Sequence, residues 1–157
     1  MLDDATKTLL EAGSSTIVGL LTAAGEPFAT RAWGSLVLSE APLRMRVLLG
    51  AGPLTQAGHA LGSGAAFAIA MTAADVRTLR AAQVKGQVVA VAPVDAADLE
   101  RSARYCDEFF SDVQEVDDVA REPMERLVPV DLWACTVEVA ELYDQTPGPG
   151  AGQPMPT

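Results

Sequence analysis

The residues best suited to bind a small charged ligand lie together in one stretch, Arg77 to Pro93 (RTLRAAQVKGQVVAVAP). Polar Gln83 and Lys85 stand beside Gly86, and a run rich in valine follows up to the proline. β-Branched residues closed by a proline predict a strand rather than a helix. A glycine inside a strand is typical either of a bulge or of a place where a ligand or another backbone comes close. The stretch therefore predicts a strand with a ligand contact, or a plain bulge, at Gly86.

Charge and composition exclude several classes of partner. The 157 residues are 49% hydrophobic, which suits one globular domain, and they carry a formal net charge of −10. This charge repels nucleic-acid phosphates and anionic membrane surfaces, so we expect neither as a partner. Cys106 and Cys135 lack the spacing of a zinc site and indicate a reducing compartment. With no basic, apolar leader and no apolar run of about 20 residues, we expect a cytoplasmic protein.

No residue has the surroundings of a catalytic acid, base or nucleophile. His59 is the only histidine and has no matching serine, cysteine or aspartate pattern, so we interpret it as a helix-surface residue. The acidic segment 107–125 lacks the glycine spacing of an EF-hand and predicts a solvated surface, not a metal site.

The order of predicted elements favours a mainly β fold, an antiparallel barrel with one short and one long helical insertion. Apolar segments bounded by turn residues, two of them with clear alternation, predict about six strands in hairpin-like order, and closing them into a barrel removes exposed edges. We predict a helix to about residue 12, strands at 16–22, 28–38, 43–49, 65–71, 77–93 and 132–142, a short helix at 54–61 and a long one at 95–113.

The chain divides into a domain at 1–143 and a tail at 144–157, DQTPGPGAGQPMPT. Its prolines and glycines predict no regular structure. The tail is expected to be disordered, or its first half to cross a partner subunit and cover a bound cofactor.

Three segments, taken together, resemble the pyridoxamine 5′-phosphate oxidase-like family of FMN-binding split β-barrels. They are PFATRAWG at 27–34, LRMRVLLG at 43–50 and LRAAQVKGQV at 79–88, and the likeness covers about Thr16 to Leu142. The resemblance implies a six-stranded split barrel and a homodimer with two FMN molecules in the grooves between its subunits.

The resemblance also assigns the first group of cofactor contacts. Arg31, Ala32 and Trp33 fall on the strand that lines the isoalloxazine ring in the family. A guanidinium suits the N1/O2 edge of the ring, whose negative charge grows on reduction. The alternatives are a surface arginine at position 31 and, for Trp33, packing rather than stacking on the flavin.

The phosphate region departs from the family pattern. Arg46 and the turn after Gly50 match it, but the turn has no lysine or arginine where members often carry one. The Thr55 hydroxyl and nearby backbone N–H groups could receive a phosphate instead. Gln83 and Lys85 match positions near the ribityl chain and phosphate, or are exposed strand residues.

The resemblance thus implies an FMN-dependent oxidoreductase that acts on an unidentified small molecule, with the cofactor carrying the chemistry. The alternative is a non-catalytic protein that binds FMN, F420 or haem in the same groove for storage or sensing. Haem would need His59 as its axial ligand.

Overall fold

Seven strands and three helices make up the parts of the chain that the computed structural model describes, residues 2–21, 27–50 and 67–157. The strands are β1 (Ser15–Leu21), β2 (Pro27–Glu40), β3 (Leu43–Gly50), β4 (Phe67–Ala74), β5 (Ala81–Pro93), β6 (Leu132–Asp144) and β7 (Pro154–Met155). The helices are α1 (Asp4–Glu11), α2 (Ala96–Asp117) and α3 (Arg121–Glu125). The predicted short helix at 54–61, with Thr55 and His59, lies outside the described residues.

The first six strands form a closed antiparallel barrel, which confirms the predicted fold class. The strand order is β3-β2-β1-β4-β5-β6, and β6 also pairs with β3. One edge of β6 bonds to β5 along most of its length, while residues 132–138 bond to β3 through the other edge. The barrel is therefore closed by a single long strand.

Gly86 lets β6 come close to β5. The pairing shifts register between Lys85 and Gly86, where Ala140 of β6 is left without an opposite residue. A Cβ atom at position 86 would lie 2.1 Å from the carbonyl oxygen of Glu138. The predicted bulge is confirmed, and the neighbour that requires a glycine there is the backbone of β6.

The inward face of every barrel strand is apolar. Val18, Met45, Met71, Val88 and Val137 are among its fully buried side chains, one from each of five strands. Burying such side chains is the main favourable term for folding, about 25 cal/mol per Å² of apolar surface. The alternation that predicted the strands is the alternation that fills the barrel.

A second core lies outside the barrel, between β2 and α2. An extra residue between Ala32 and Ser35 bulges β2, and Gly34 has a φ of +136°, in the region that favours glycine. The bulge places Trp33 in a cluster with aromatic residues of α2, among them Tyr105, Phe109 and Phe110. Helix α2 is thereby held against one side of the barrel.

The long helix begins where the sequence predicts and runs four residues further. Asp95 is its N-cap, and the carboxylate of Asp98 completes a capping box. Leu99, Ala103, Cys106 and Phe110 recur at helical spacing and predict an apolar face. This prediction is wrong at Leu99, which is 54% exposed. The buried face instead consists of Asp98, Ser102, Tyr105, Cys106, Phe109 and Phe110.

An ion pair explains why a carboxylate lies on that buried face. Arg46 of β3 donates from Nε to Oδ1 of Asp98 at 2.7 Å and from Nη2 to Oδ2. This hydrogen bonding is the first cause that lowers the pKa of Asp98 below its usual range. The pair fastens the first turn of α2 to the barrel wall.

The β4–β5 connection comes later than expected. The flanking strands were predicted at 65–71 and 77–93, but β4 continues to Ala74 and the turn occupies 75–80. Asp75 accepts backbone hydrogen bonds from Arg77 at 3.0 Å and Thr78 at 2.6 Å. This local capping of the turn by an aspartate side chain sets its position.

The tail folds onto its own chain, so the prediction that it lacks regular structure was wrong. Strand β7 pairs with Leu142 and Tyr143 of β6, and Met155 packs against the barrel core. The N–H of Asp144 donates to the carbonyl of Gln153 at 3.0 Å. β7 covers the edge of β6 beyond the end of its pairing with β3, and covered edges resist unwanted strand addition.

Both cysteines are buried and unbonded. Burial raises the pKa of Cys135 to about 12, so its thiol is a poor nucleophile. None of the helices in the described ranges is long and apolar enough to cross a bilayer.

Gly86→Ala should lower the free energy of unfolding of the barrel far more than Gly19→Ala. The new methyl would sit against the Glu138 carbonyl, and we expect a loss of about 3 kcal/mol or more. A Cβ at Gly19 meets nothing within 4 Å, so Gly19→Ala should change stability by less than about 1 kcal/mol. Urea denaturation measures both, and equal effects would contradict the close approach of β6.

The Arg46–Asp98 pair should make the free energy of unfolding depend on pH in the acidic range. At pH 7, Asp98→Asn should lose about 3 kcal/mol, because it leaves a partly buried arginine without its charge partner. The folded pKa of Asp98 is lowered, so the wild-type advantage is complete above the unfolded pKa of about 3.9 and shrinks as pH falls through the folded value.

The matched control for this prediction is Glu138→Gln, which breaks the exposed pair with Arg44. Exposed pairs contribute about 1 kcal/mol or less. Denaturant titrations across pH for both variants would test the difference. An Asp98→Asn loss no larger than that of the control would show that the pair does not anchor α2.

Candidate functional site

Strand register brings three of the predicted ligand contacts onto one face of the sheet. Arg31 lies opposite Ile17, Ile17 opposite Thr72, and Thr72 opposite Gln83. Directly opposed residues on antiparallel strands point to the same side, here the outside of the barrel. Lys85 is two residues after Gln83 and shares that face. Arg31 and Gln83 stand three strand spacings apart, about 14 Å.

A groove of about 610 Å³ opens on this face. Its floor is made of small outward residues from three strands, Gly19, Ala29, Ala68 and Ala70, and its polar wall is made of Lys85, Gln87 and Glu141. The volume falls within the range of small-molecule sites, roughly 300–1,000 Å³. A row of small side chains leaves room for a flat ligand to lie against the sheet.

Lys85 is the cation of the groove, and its neighbours on β6 hold it in place. Its Nζ lies 4.6 Å from the centroid of the Tyr143 ring. The Tyr143 hydroxyl donates to Oε2 of Glu141, and this hydrogen bond is the first cause that raises the pKa of Tyr143. Lys85 and Glu141 are directly opposed in register. The ammonium therefore rests on an aromatic face beside a carboxylate that is already hydrogen-bonded.

Gln83 and Arg31 lie on the same face but outside the groove lining. The Gln83 amide donates to the Thr72 hydroxyl at 3.0 Å. The guanidinium carbon of Arg31 stands 4.7 Å from the centroid of the Phe109 ring on α2. Its Nη2 atom is buried and finds no hydrogen-bond acceptor among the described residues. A buried donor in this state is unfavourable by about 1–3 kcal/mol unless an acceptor reaches it.

The remaining predicted contacts are engaged in the fold or lie beyond it. Ala32 is part of the barrel core, Trp33 is 4% exposed in the cluster under α2, and Arg46 is paired with Asp98. Thr55 belongs to the residues that the structure leaves undescribed. Of the six predicted contacts within the described ranges, Lys85 alone is among the residues that line the groove.

Most cations of the chain are paired with carboxylates. Within the described ranges, seven of the eleven lysines and arginines form ion pairs: Lys7, Arg44, Arg46, Arg77, Arg80, Arg121 and Arg126. Arg31, Lys85, Arg101 and Arg104 have no carboxylate within 4.0 Å in those ranges. The segments outside them contain no lysine or arginine. The two cations left on the outer sheet face are those predicted to meet a ligand.

Sequence reasoning missed the floor of the groove and its β6 wall. Ala68 and Ala70 alternate with buried Ile69 and Met71, which marks them as outward small residues. That they meet Gly19 and Ala29 follows only from register. Glu141 lies in the predicted last strand, 132–142, and Tyr143 follows it, but their position beside Lys85 depends on the bulge at Gly86.

Comparison with solved structures identifies the architecture. An F420 reductase aligns with a TM-score of 0.55 at 17% identity, over 90% of this chain and 98% of its own. HupZ from Group A Streptococcus aligns with a TM-score of 0.53 at 14% identity, over 97% and 100%. The chain has the split β-barrel fold. A pyridoxamine 5′-phosphate oxidase-related, FMN-binding protein from Nostoc punctiforme reaches a TM-score of only 0.44 at 10% identity, over 88% and 77%, too low to carry an argument.

No family model and no curated protein matches the sequence. At these identities the structural likeness concerns the split barrel alone, so the groove has to be interpreted from its own residues. Those residues provide a flat apolar floor, one lysine and one carboxylate. The described residues hold no cluster of three metal-ligating side chains. The arrangement suits binding and orienting a planar ligand.

Proposed function

We propose that this split barrel binds FMN in the groove and acts as an oxidoreductase on a small molecule. The observation that carries the proposal is the groove itself, with a small-residue floor beside Lys85 on the outer sheet face. A planar ring would lie on Gly19, Ala29 and Ala70, where no large side chain intervenes. The acidic charge of the chain, −10, agrees with the expectation of no nucleic-acid partner.

The residues present fit such a ligand at two points. Lys85 is a cation without a carboxylate partner in the described ranges, so it can receive a phosphate. Arg31 shares this outer face outside the groove lining, and its Nη2 is buried beside α2, so the side chain would have to turn towards the ligand to meet an electron-rich ring edge. Gln83 lies on the same face, two residues before Lys85 and in the row of Arg31, and could bond to a hydroxylated chain. Arg46 and Trp33 would support the strands that carry these groups.

FMN, when bound, would supply the hydride or electron transfer itself, and the chain would supply position and electrostatics. The described part of the groove offers no acid–base pair, since its one carboxylate, Glu141, is held by Tyr143. F420 is the second candidate cofactor, because a structure with the same barrel is an F420 reductase. Haem would depend on His59, which lies outside the described residues.

A homodimer belongs to the same proposal. Ile17 and Leu21 are 46% and 42% exposed on the outer face that carries the groove. Large apolar side chains clustered on a surface are typical of interfaces. A second copy laid over this face would bury them and close the groove. The unbonded cysteines, Cys106 and Cys135, support the predicted cytoplasmic location.

The decisive experiment tests whether flavin binding depends on the groove. Ala70→Leu should weaken FMN binding at least tenfold by filling the floor, and Lys85→Met should weaken it about tenfold by removing a charged hydrogen bond. Ala90→Leu is the matched control, because Ala90 is an exposed β5 alanine outside the groove, and it should leave the affinity unchanged. Fluorescence titration of the purified proteins measures all three.

A second measurement identifies any cofactor that co-purifies with the protein. Its visible absorption and the mass of any released chromophore would distinguish FMN, F420 and haem. If Ala70→Leu and Lys85→Met both bind FMN like the wild type, the ligand lies elsewhere. Steady oxidation of NADPH or NADH with an acceptor would identify an enzyme, and tight binding without turnover would favour storage or sensing.

A further inference from the structure

Two groups on β6 compete for Lys85. Glu141 lies directly opposite it on the antiparallel pair, where side chains start about 5 Å apart and opposite charges normally join. Tyr143 lies on the diagonal, within reach of a long side chain. In the structure the ammonium is over the Tyr143 ring, 4.6 Å from its centroid. Within the described residues no carboxylate comes within 4.0 Å of it.

The Tyr143 hydroxyl interacts with the carboxylate that lies opposite Lys85. It donates to Oε2 of Glu141, so the carboxylate has a strong hydrogen bond of its own. One side chain therefore does two things: its ring supports the ammonium and its hydroxyl occupies the competing carboxylate. The N–H groups of Lys85 stay available to an anion in the groove.

The backbone of Tyr143 is held from both sides. It pairs with Gln83 of β5 on one edge and with Pro154 of β7 on the other. The N–H of Asp144 donates to Gln153 at 3.0 Å, and the N–H of Gly152 donates to Asp144 at 2.6 Å. The folded tail thus helps to fix the strand position from which the ring meets Lys85.

We propose that Tyr143 is the positioning residue of the groove, which keeps Glu141 from neutralising Lys85 and so makes Lys85 available to the anionic group of the ligand. The inference rests on the proposed function and deepens it. Lys85, Glu141 and Tyr143 would together determine the preference for an anionic ligand over a neutral ligand with the same ring. The ligand class is a planar molecule with an anionic substituent, recognised through Lys85.

The test compares FMN with riboflavin, which has the same ring without the phosphate. Tyr143→Phe keeps the ring but releases Glu141, so the preference for FMN over riboflavin should fall at least threefold, consistent with loss of a charge-assisted contact. Riboflavin affinity should stay within about twofold, since the floor is unchanged. Tyr143→Phe/Glu141→Gln should restore the preference, because the amide cannot pair with Lys85.

Arg44→Met is the matched control, since it removes a cation that is paired outside the groove, and the preference should not change. A second readout needs no flavin: ultraviolet titration of the phenol should give a lower pKa for Tyr143 in Glu141→Gln than in the wild type. An unchanged preference in Tyr143→Phe, or no restoration in the double variant, would overturn the role of Tyr143 while FMN binding stood. Failure of the wild type to bind either flavin would overturn the proposed function and this inference with it.

Discussion

The structure depends on how β6 closes the barrel. β6 is hydrogen-bonded to β5 along one edge and to β3 along the other, so this one strand joins the two ends of the sheet and leaves neither as a free edge. The closure requires the backbone of Glu138 to lie where any side chain at position 86 would stand. The same approach skips Ala140 and sets the register that puts Glu141 opposite Lys85. Fold and site therefore share one constraint, the glycine at position 86.

Closure fills the inside of the barrel but leaves the covering of the outside uneven. Helix α2 packs over the bulge at Trp33 and Gly34 and is held by the Arg46–Asp98 pair. The contact between Phe109 of α2 and Arg31 of β2 lies at the edge of the sheet surface that α2 covers. Beyond it, β1, β4 and β5 turn small or half-exposed side chains outward, and the groove lies there. The candidate site is the part of the sheet that the helices of the described ranges leave uncovered.

Local signals predicted most of the fold. Apolar segments bounded by turn residues placed the strands, with clear alternation in β3 and β6. Asp3 or Asp4 and Asp95 predict the N-caps of α1 and α2, and the caps are Asp3 and Asp95. Apolar spacing alone misassigned Leu99, because the buried face of α2 accepts Asp98 only with Arg46 beside it. The tail was misjudged for a similar reason. Its composition predicts no regular structure, but the free edge of β6 gives it a partner.

The site was less predictable, since its residues meet through register. The polar stretch before the valine-rich run singles out Lys85, and the family resemblance singles out Arg31, but neither indicates the floor that β1, β2 and β4 form together. Lys85 and Tyr143, which are in contact, lie 58 positions apart in the sequence. Their contact depends on the bulge at Gly86, and nothing in the sequence marks Ala140 as the residue that the bulge leaves unpaired. Arg46 shows the converse case, in which a plausible anion-binding residue is engaged by its own helix.

Ion pairing of most lysines and arginines limits the positive charge that is available to a ligand in the groove. Seven cations are paired within the described ranges, and the segments outside them hold no lysine or arginine. Arg101 and Arg104 lie on α2, not among the residues that line the groove. Within one copy of the chain, an anionic ligand on the outer sheet face can therefore draw on Lys85 and Arg31 for positive charge. A ligand with several anionic groups would need cations from a second copy, whereas a ring with one anionic group is matched by Lys85 alone.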